Sequence, residues 1–338
     1  MMKAYVIQGG FGLDHVTEAD LPIPSPARGE VLIRMKAVSL NARDIGVIDG
    51  FYNPELCEPL VPVSDGVGEV IALGEHAVKF QIGERVSPIF TQSWRSGEAT
   101  RENWITSLGS PLQGLLAEYV VLPEEGLVRV PEHLTDIEAA TLPCAGVTAW
   151  HAIVEEGKVK AGDTVVVQGT GGVSLFALQF AKLQGAKVIV TSSSDAKLAQ
   201  AKALGADHGI NYKSNAEWDQ AVLAYTEGRG ADHIVDLGGG ATLNRSISAL
   251  KVGGQISIVG ILSGASVEGL AIVPAILRRA RLQAINVGSR DMFERMNAAI
   301  AHYELRPVVD TVYPFTQALA ALGHLAKGSY FGKIAIQF

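Results

Sequence analysis

The stretch Val167-Gln168-Gly169-Thr170-Gly171-Gly172-Val173-Ser174 decides the fold, because it follows an apolar run at 164 to 168 and opens a helix over Val173 to Lys182. In a strand–turn–helix setting the first glycine of such a turn makes the bend and the second lets the backbone approach a pyrophosphate. The third permits close helix packing. Gly169 and Gly171 fill the first two positions, and Ser174 takes the third as a small substitute. The helix N-terminus still faces an anion. The turn predicts a bound dinucleotide, against the alternative of a merely structural turn.

Outward from the turn, apolar runs recur at 164 to 168, 187 to 191, 208 to 212, 232 to 236, 255 to 260 and 282 to 287. Helical stretches separate most of them, and Gly185, Gly205, Gly230 and Gly253 fall near element ends. This α/β alternation predicts a doubly wound parallel sheet. Residues 1 to about 125 have a different texture, with short runs broken by turns at 31 to 35, 68 to 74, 85 to 90 and 118 to 122. They read as a β-rich module. The last stretch, Phe331 to Ile336, is a strand with no helix after it and is expected to return to that module. Residues 91 to 113 are polar and poorly periodic, with Trp94 and Trp104 as isolated large apolar side chains, and read as a surface lobe or a long loop.

A chain of 338 residues with 48% hydrophobic residues and 19% charged residues can bury a large core, and its length favours two domains. The opening Met1-Met2-Lys3-Ala4-Tyr5-Val6-Ile7 reads as a strand rather than a signal peptide. No run approaches the roughly 20 apolar residues of a membrane span. A net charge of −7 without a Lys/Arg-rich run argues against nucleic acid as a partner. Two cysteines, Cys57 and Cys144, fit a reducing cytoplasm.

The end of the second strand of a dinucleotide unit selects the cofactor, because an acidic residue there would bind the ribose 2′-hydroxyl. Here it runs Thr191-Ser192-Ser193-Ser194-Asp195-Ala196-Lys197. The hydroxyls and the Lys197 cation suit a 2′-phosphate, so NADP(H) is favoured over NAD. Asp195 is the competing signal, with a helix N-cap as its structural alternative, and Lys197 has a solvated helix residue as its own.

Several further segments carry a resemblance along nearly the whole chain. They are Ser39-Leu40-Asn41-Ala42-Arg43-Asp44, Gly66-Val67-Gly68-Glu69-Val70, Gly83-Glu84-Arg85-Val86, Ala139-Ala140-Thr141-Leu142-Pro143 before Thr148-Ala149-Trp150, Ala203-Leu204-Gly205-Ala206-Asp207 with Ile210-Asn211-Tyr212, and Gly332-Lys333. With the glycine turn they resemble the medium-chain dehydrogenases/reductases, and most of all the zinc-free quinone oxidoreductase and enoyl reductase branch. The resemblance implies a discontinuous GroES-like catalytic domain over 1–145 and 289–338 and a Rossmann domain over 146–288. It also implies an active site in the cleft and, commonly, a homodimer joined at nucleotide-domain edge strands. The run Leu282 to Val287 is available for that role.

Zinc relatives of this architecture use the metal to polarise a carbonyl. Where they place their first cysteine and the histidine beside it, this chain has Asn41 and Ala42; where they have Gly-His-Glu it has Val63-Ser64-Asp65. Cys144 alone matches a ligand position, and the 91 to 113 lobe holds no cysteine for a structural zinc. One thiol and one carboxylate fall short of the usual three protein ligands. No metal is expected, and Cys144 reads as a small buried residue.

Hydride addition to an isolated ketone localises charge on oxygen and needs a Lewis acid or a placed proton donor. A quinone or an α,β-unsaturated carbonyl spreads that charge by conjugation. The expected function is therefore NADPH-dependent reduction of a quinone, enone or enal. A zinc-independent alcohol dehydrogenase or carbonyl reductase is the alternative, and a non-catalytic NADPH-binding protein is the third reading.

By resemblance, Asn41 faces the nicotinamide and substrate with an amide able to donate to an oxyanion. Tyr52 lies near a quinone site as proton donor or substrate anchor, or is a half-buried aromatic. Arg43 and Asp44 read as an ion pair holding the loop; Asp65 is expected to pair with Arg43 or to cap local backbone. For the cofactor, the resemblance carries Gly171, Gly172 and Val173 to the pyrophosphate and Ser193, Lys197 and Tyr212 to the adenosine 2′-phosphate. Thr148, Gly260, Ile261, Leu262, Val287, Ser289, Phe331 and Lys333 are carried to the nicotinamide side. His151 reads as a core or boundary histidine, and Ser174 lacks the G-x-S-x-G elbow of a hydrolase nucleophile.

Overall fold

The apolar runs of the N-terminal region become strands because alternate side chains find a buried face. In the computed structural model, which describes residues 1–52, 54–55 and 59–338, the chain forms two compact units, Met1–Val147 with Val287–Phe338 and Thr148–Asn286. Cys57 lies outside the described residues.

In the first unit, β1 (Met2–Ile7) and β2 (Val16–Leu21) form an antiparallel pair. The long β3 (Glu30–Ser39) pairs with β4 (Asp65–Leu73), β4 with β5 (Arg85–Pro88), β6 (Tyr119–Pro123) with β3, and β7 (Leu127–Arg129) with β5. Helix α1 (Ala42–Ile48) leaves the end of β3. Residues 91 to 113 contain the one-turn α2 (Arg101–Trp104). Trp94 there is 4% exposed and meets Trp104 edge to face with ring centroids 5.7 Å apart, so these side chains are paired rather than isolated. Helix α3 (Asp136–Ala139) starts at Thr135, whose hydroxyl caps Glu138 N while Glu138 reaches back. The chain then winds through wide turns at Leu142–Gly146 into α4 (Val147–Trp150).

The second unit holds β8 (Thr164–Gln168), α5 (Gly172–Leu183), β9 (Lys187–Ser192), α6 (Asp195–Ala203), β10 (His208–Asn211), α7 (Trp218–Tyr225), β11 (Ala231–Asp236), α8 (Leu243–Ala249), β12 (Leu250–Ile258), α9 (Ile272–Leu277) and β13 (Arg281–Ala284). All six strands are parallel, in the order β10-β9-β8-β11-β12-β13. The order reverses on either side of β8, which is the switch point of a doubly wound sheet. Val166, Ile189, Ile234 and Ile256 meet Trp218, Val222 and Ile247 in one core. Each such fully buried aliphatic side chain stabilises by roughly 1.5–3 kcal/mol. Two sequence expectations shift. Gly253 lies inside β12, beside a register shift in its pairing with β11, and β13 ends at Ala284 instead of continuing to Val287. Val287 adopts φ 41°, a left-handed backbone that a β-branched residue rarely takes and that no strand continues through.

The chain finishes in the first unit. Helix α10 (Arg290–His302) leads to β14 (Val309–Pro314), α11 (Ala318–Lys327) and β15 (Lys333–Gln337). β15 lies between β14 and β3, pairing antiparallel with β3 through Ala335–Ser39. Ile334 and Ile336 thereby join Ile33, Val38 and Leu115 in the core of that unit.

Candidate active site

The glycine turn after β8 is built by glycine and one serine. Gly169 has φ 76°, a conformation glycine adopts without strain. A Cβ on Gly171 would meet nothing within 4 Å, so this face of the turn is open. No side chain caps α5 at Gly171, and its first backbone N–H groups lack intrahelical acceptors. Ser174, 2% exposed, donates its hydroxyl to Gln168 O at 2.8 Å. The third position of the fingerprint therefore closes the turn with a hydrogen bond. Gly171, Gly172 and Val173 present the open helix end, an arrangement that fits a pyrophosphate.

Behind the turn lies a buried polar network that sequence reasoning missed. Gln168 Nε2 donates to Asp236 Oδ2 (3.1 Å) and Ser246 Oγ (2.9 Å), while Gln168 Oε1 accepts from Leu237 N and Gly238 N. Asp236 Oδ1 accepts from Gly239 N (2.9 Å) and Thr242 Oγ1 (2.7 Å). The network braces the carboxyl ends of β8 and β11, and its local sign was Asp236 closing an apolar run ahead of Gly238-Gly239-Gly240. The loop after β12 is laced to the same ends through Val259 N to Asp236 O and Leu262 N to Leu237 O. Any Cβ on Gly260 would stand 2.5 Å from Leu237 O, so packing alone demands glycine there. Ile261 and Leu262 beside it are exposed at 44% and 72%.

At the end of β9, Ser194 rather than Asp195 is the N-cap of α6, accepting from Lys197 N. Asp195 is the first helical residue, and its Oδ1 accepts from Asn211 Nδ2 at 2.8 Å. Ser193 precedes the cap, Lys197 sits in the first turn, and the half-exposed Tyr212 follows β10 with its N–H donated to Ser192 O. Thr148 is buried on α4, and His151 is buried just after it.

In the first unit, α1 brings together a buried charged cluster. Asp44, at the third helical position, reaches back to accept from Asn41 N at 2.7 Å. The Asn41 side chain, 9% exposed, faces the Asp44 backbone N–H in a capping-box arrangement without a hydrogen bond of good geometry to it. Its Oδ1 accepts instead from Lys333 Nζ at 2.5 Å, and that ammonium also donates to Leu40 O. Asn41 Nδ2 is buried and makes no hydrogen bond of good geometry, although the amide lies close enough to Asp65 to favour its charged form. Asp65 accepts from Ser64 Oγ (2.8 Å) and Cys144 N (2.9 Å). It thus caps backbone and does not pair with Arg43.

Electrostatics in the cluster oppose one another. Burial raises the pKa of Asp65, with Lys333, the nearby Asn41 amide and the hydrogen bonds from Cys144 and Ser64 resisting. Burial also raises Asp44 to about 6, against the nearby Arg43. Lys333 is held below the usual lysine value by burial, with Asp65, Cys144 and Asp44 resisting. The partly exposed Cys144 has its thiol pushed up to about 12, first by loss of water and then by the Asp65 carboxylate.

The Arg43–Asp44 pair is at the limit of an ion pair, 4.0 Å. Arg43 chiefly donates to Leu108 O and Ser110 O and lies over the rings of Phe90 (4.7 Å) and Tyr52 (5.6 Å). It fixes the 108–110 loop more than the charge of Asp44. Tyr52 is 52% exposed and packs edge-on to Phe51. Ser289 caps α10 through Met292 N, and Phe331 N donates to Asp310.

Among the described residues no three His, Cys, Asp or Glu side chains converge. The donor chemistry near Asn41 agrees poorly with a divalent ion. Cys144 and Asp65 are two ligands where three are usual, and Lys333 already supplies positive charge to both.

One unit is a parallel dinucleotide-type sheet and the other an antiparallel β unit, and comparison with known proteins gives the family. The family model for the alcohol dehydrogenase GroES-like domain matches residues 27–132, and that for zinc-binding dehydrogenase matches residues 172–302. A zinc-type alcohol dehydrogenase-like protein of Schizosaccharomyces pombe is 41% identical over 344 residues, covering 100% of this chain and 99% of its own. Prostaglandin reductase-3 of Mus musculus is 31% identical over 277 residues, 81% of this chain and 67% of its own. The solved structure of an NAD-dependent alcohol dehydrogenase has a TM-score of 0.92 at 35% identity, covering 100% of both chains. Further relatives include a quinone oxidoreductase of Pongo abelii, 28% identical, and a mycobacterial protein solved with NADPH, 26% identical. The chain belongs to the medium-chain dehydrogenase/reductase superfamily of oxidoreductases.

Proposed function

We propose that this protein is a zinc-independent, NADPH-dependent reductase of quinones or α,β-unsaturated carbonyl compounds. The observation that carries the reading is the Asn41 amide, a buried donor with no partner of good geometry, standing beside Lys333 in a cluster that lacks a full metal ligand set. When bound, the nicotinamide supplies hydride. Asn41 Nδ2 donates to the substrate carbonyl oxygen as charge develops there, and a conjugated substrate shares that charge so that one hydrogen-bond donor suffices. The half-exposed Tyr52 anchors the substrate or delivers the final proton. Relatives named prostaglandin reductase and quinone oxidoreductase support the substrate class.

Gly171, Gly172 and Val173 hold the pyrophosphate in this proposal. Ser193, Lys197 and Tyr212 take the adenosine phosphate, and the engagement of Asp195 with Asn211 supports that choice by drawing the acid away from ribose recognition. One relative is named NAD-dependent and another was solved with NADPH, so the preference rests on these residues. Names of alcohol dehydrogenases among the relatives favour a second reading, reversible carbonyl reduction. Purified enzyme is expected to consume NADPH with quinones or enones, with no loss on chelation. Zinc-dependent oxidation of simple alcohols without turnover of either class would sink the reading.

The proposal includes a homodimer. β13 is the edge of its sheet and all four of its residues are exposed, next to Ile272, Val273, Ile276 and Leu277 of α9, each more than half exposed. A second copy adding its own β13 would pair the free edge and cover that apolar face. Two cysteines in the whole chain fit the cytoplasm as its location, and among the described residues no helix is long and apolar enough to cross a membrane.

A further inference from the structure

A side-chain amide is nearly symmetric in shape and opposite in chemistry at its two ends. For Asn41 to assist a developing oxyanion, its NH2 must face the substrate; the reverse rotamer would set one oxygen against another. Something has to choose between them.

We infer that Lys333 is a positioning residue that makes this choice, holding Asn41 Oδ1 so that Nδ2 is the end presented to the substrate oxygen. The inference rests on the reading of Asn41 given above. An ammonium has three donors and no acceptor, so only the oxygen of the amide can face it. Lys333 Nζ is 2.5 Å from Oδ1 and bonded as well to the carbonyl of Leu40, the residue before Asn41. The lysine is therefore tied to the same stretch of backbone whose side chain it orients.

Two further observations agree. An asparagine at a helix N-cap ordinarily spends its oxygen on the helix N–H groups. Here Asp44 reaches back to Asn41 N in a capping box, and the hydrogen bond of good geometry that Asn41 Oδ1 makes is the one from Lys333 and not one from the helix N–H groups. Lys333 is also 3% exposed, and a buried ammonium is costly wherever an apolar side chain would pack as well. Its own position is firmly held, since Lys333 N donates to Val308 O and a Cβ on Gly332 would stand 2.4 Å from that same carbonyl.

The test is a double-mutant cycle with a structural readout. Lys333→Met is expected to lower kcat on a quinone or enone roughly tenfold to hundredfold, with the Kd for NADPH unchanged by fluorescence titration. In an Asn41→Ala background the same change is expected to lower kcat no further. Additive losses, or a rise in the NADPH Kd in both backgrounds, would assign Lys333 to the cofactor and overturn the inference. Independently, 15N-asparagine labelling reads the Asn41 side-chain NH2 pair, assigned by its loss in Asn41→Ala. The pair is expected to shift or broaden in Lys333→Met and to be retained in Lys333→Arg, which keeps charge and donors; an unchanged pair in Lys333→Met overturns the inference. Should wild-type enzyme reduce no quinone or enone, the proposed function falls, and the NH2 pair still decides the role of Lys333.

Discussion

Ser174 Oγ donates to the backbone carbonyl of Gln168 across 2.8 Å, closing the glycine turn on the strand that precedes it. A third glycine would leave that carbonyl to find another donor. Ser174→Ala is expected to cost about 1 kcal/mol in chemical denaturation and to weaken cofactor binding, because the turn loses its cross-tie. Unchanged stability and affinity would show that the serine serves only as a small side chain.

Asn41→Ala removes the proposed donor and is expected to lower kcat/KM by roughly a hundredfold to a thousandfold. The fall should lie in kcat, as for an interaction made chiefly in the transition state. A change confined to KM would place the amide in ground-state binding.

Tyr52 is 52% exposed, so water can reach it and replace it as a proton source. Tyr52→Phe is therefore expected to raise KM for the carbonyl substrate with little change in kcat. A large drop in kcat with loss of a limb in the pH profile would make it the proton donor instead.

Lys197→Ala is expected to raise KM for NADPH roughly tenfold to a hundredfold, the range of a lost charge-assisted hydrogen bond, and to leave NADH nearly unaffected. Equal effects on the two cofactors would remove Lys197 from the phosphate site.

Asp44 carries a pH signature. Its pKa rises from 3.8 to about 6 on folding, so the native state binds the proton more tightly than the unfolded chain. Its favourable contribution is complete below about pH 4 and is lost as pH climbs through 6, a change of roughly 2–3 kcal/mol. Denaturation of wild type and Asp44→Asn across pH 4 to about 7 should show wild type losing stability relative to the variant as pH rises. A constant difference would mean that Asp44 does not titrate in this window.

The parallel sheet was legible because its signals are local. Apolar runs of strand length, a glycine turn after the first, and helices between them are each read within a dozen residues, and all six strands fell where those runs lie. Errors came where backbone geometry at one residue or a side-chain contact set the outcome. β13 stops short where Val287 turns left-handed, and Trp94 is buried against Trp104 although its neighbours in sequence are polar. Asp195 looked like a helix cap, yet Ser194 holds that place and Asp195 is engaged by Asn211.

By itself the sequence determined the class of fold, the glycine turn after the first strand of the parallel sheet and the asparagine that opens α1. Tertiary structure alone decided what surrounds that asparagine. Lys333 lies 292 positions away from Asn41 and reaches it because β15 inserts beside β3, bringing the start of one strand to the end of the other. No periodicity or turn residue encodes that meeting, since strand pairing over such a distance is selected by the burial of Ile334 and Ile336 in a common core and by the register that burial imposes.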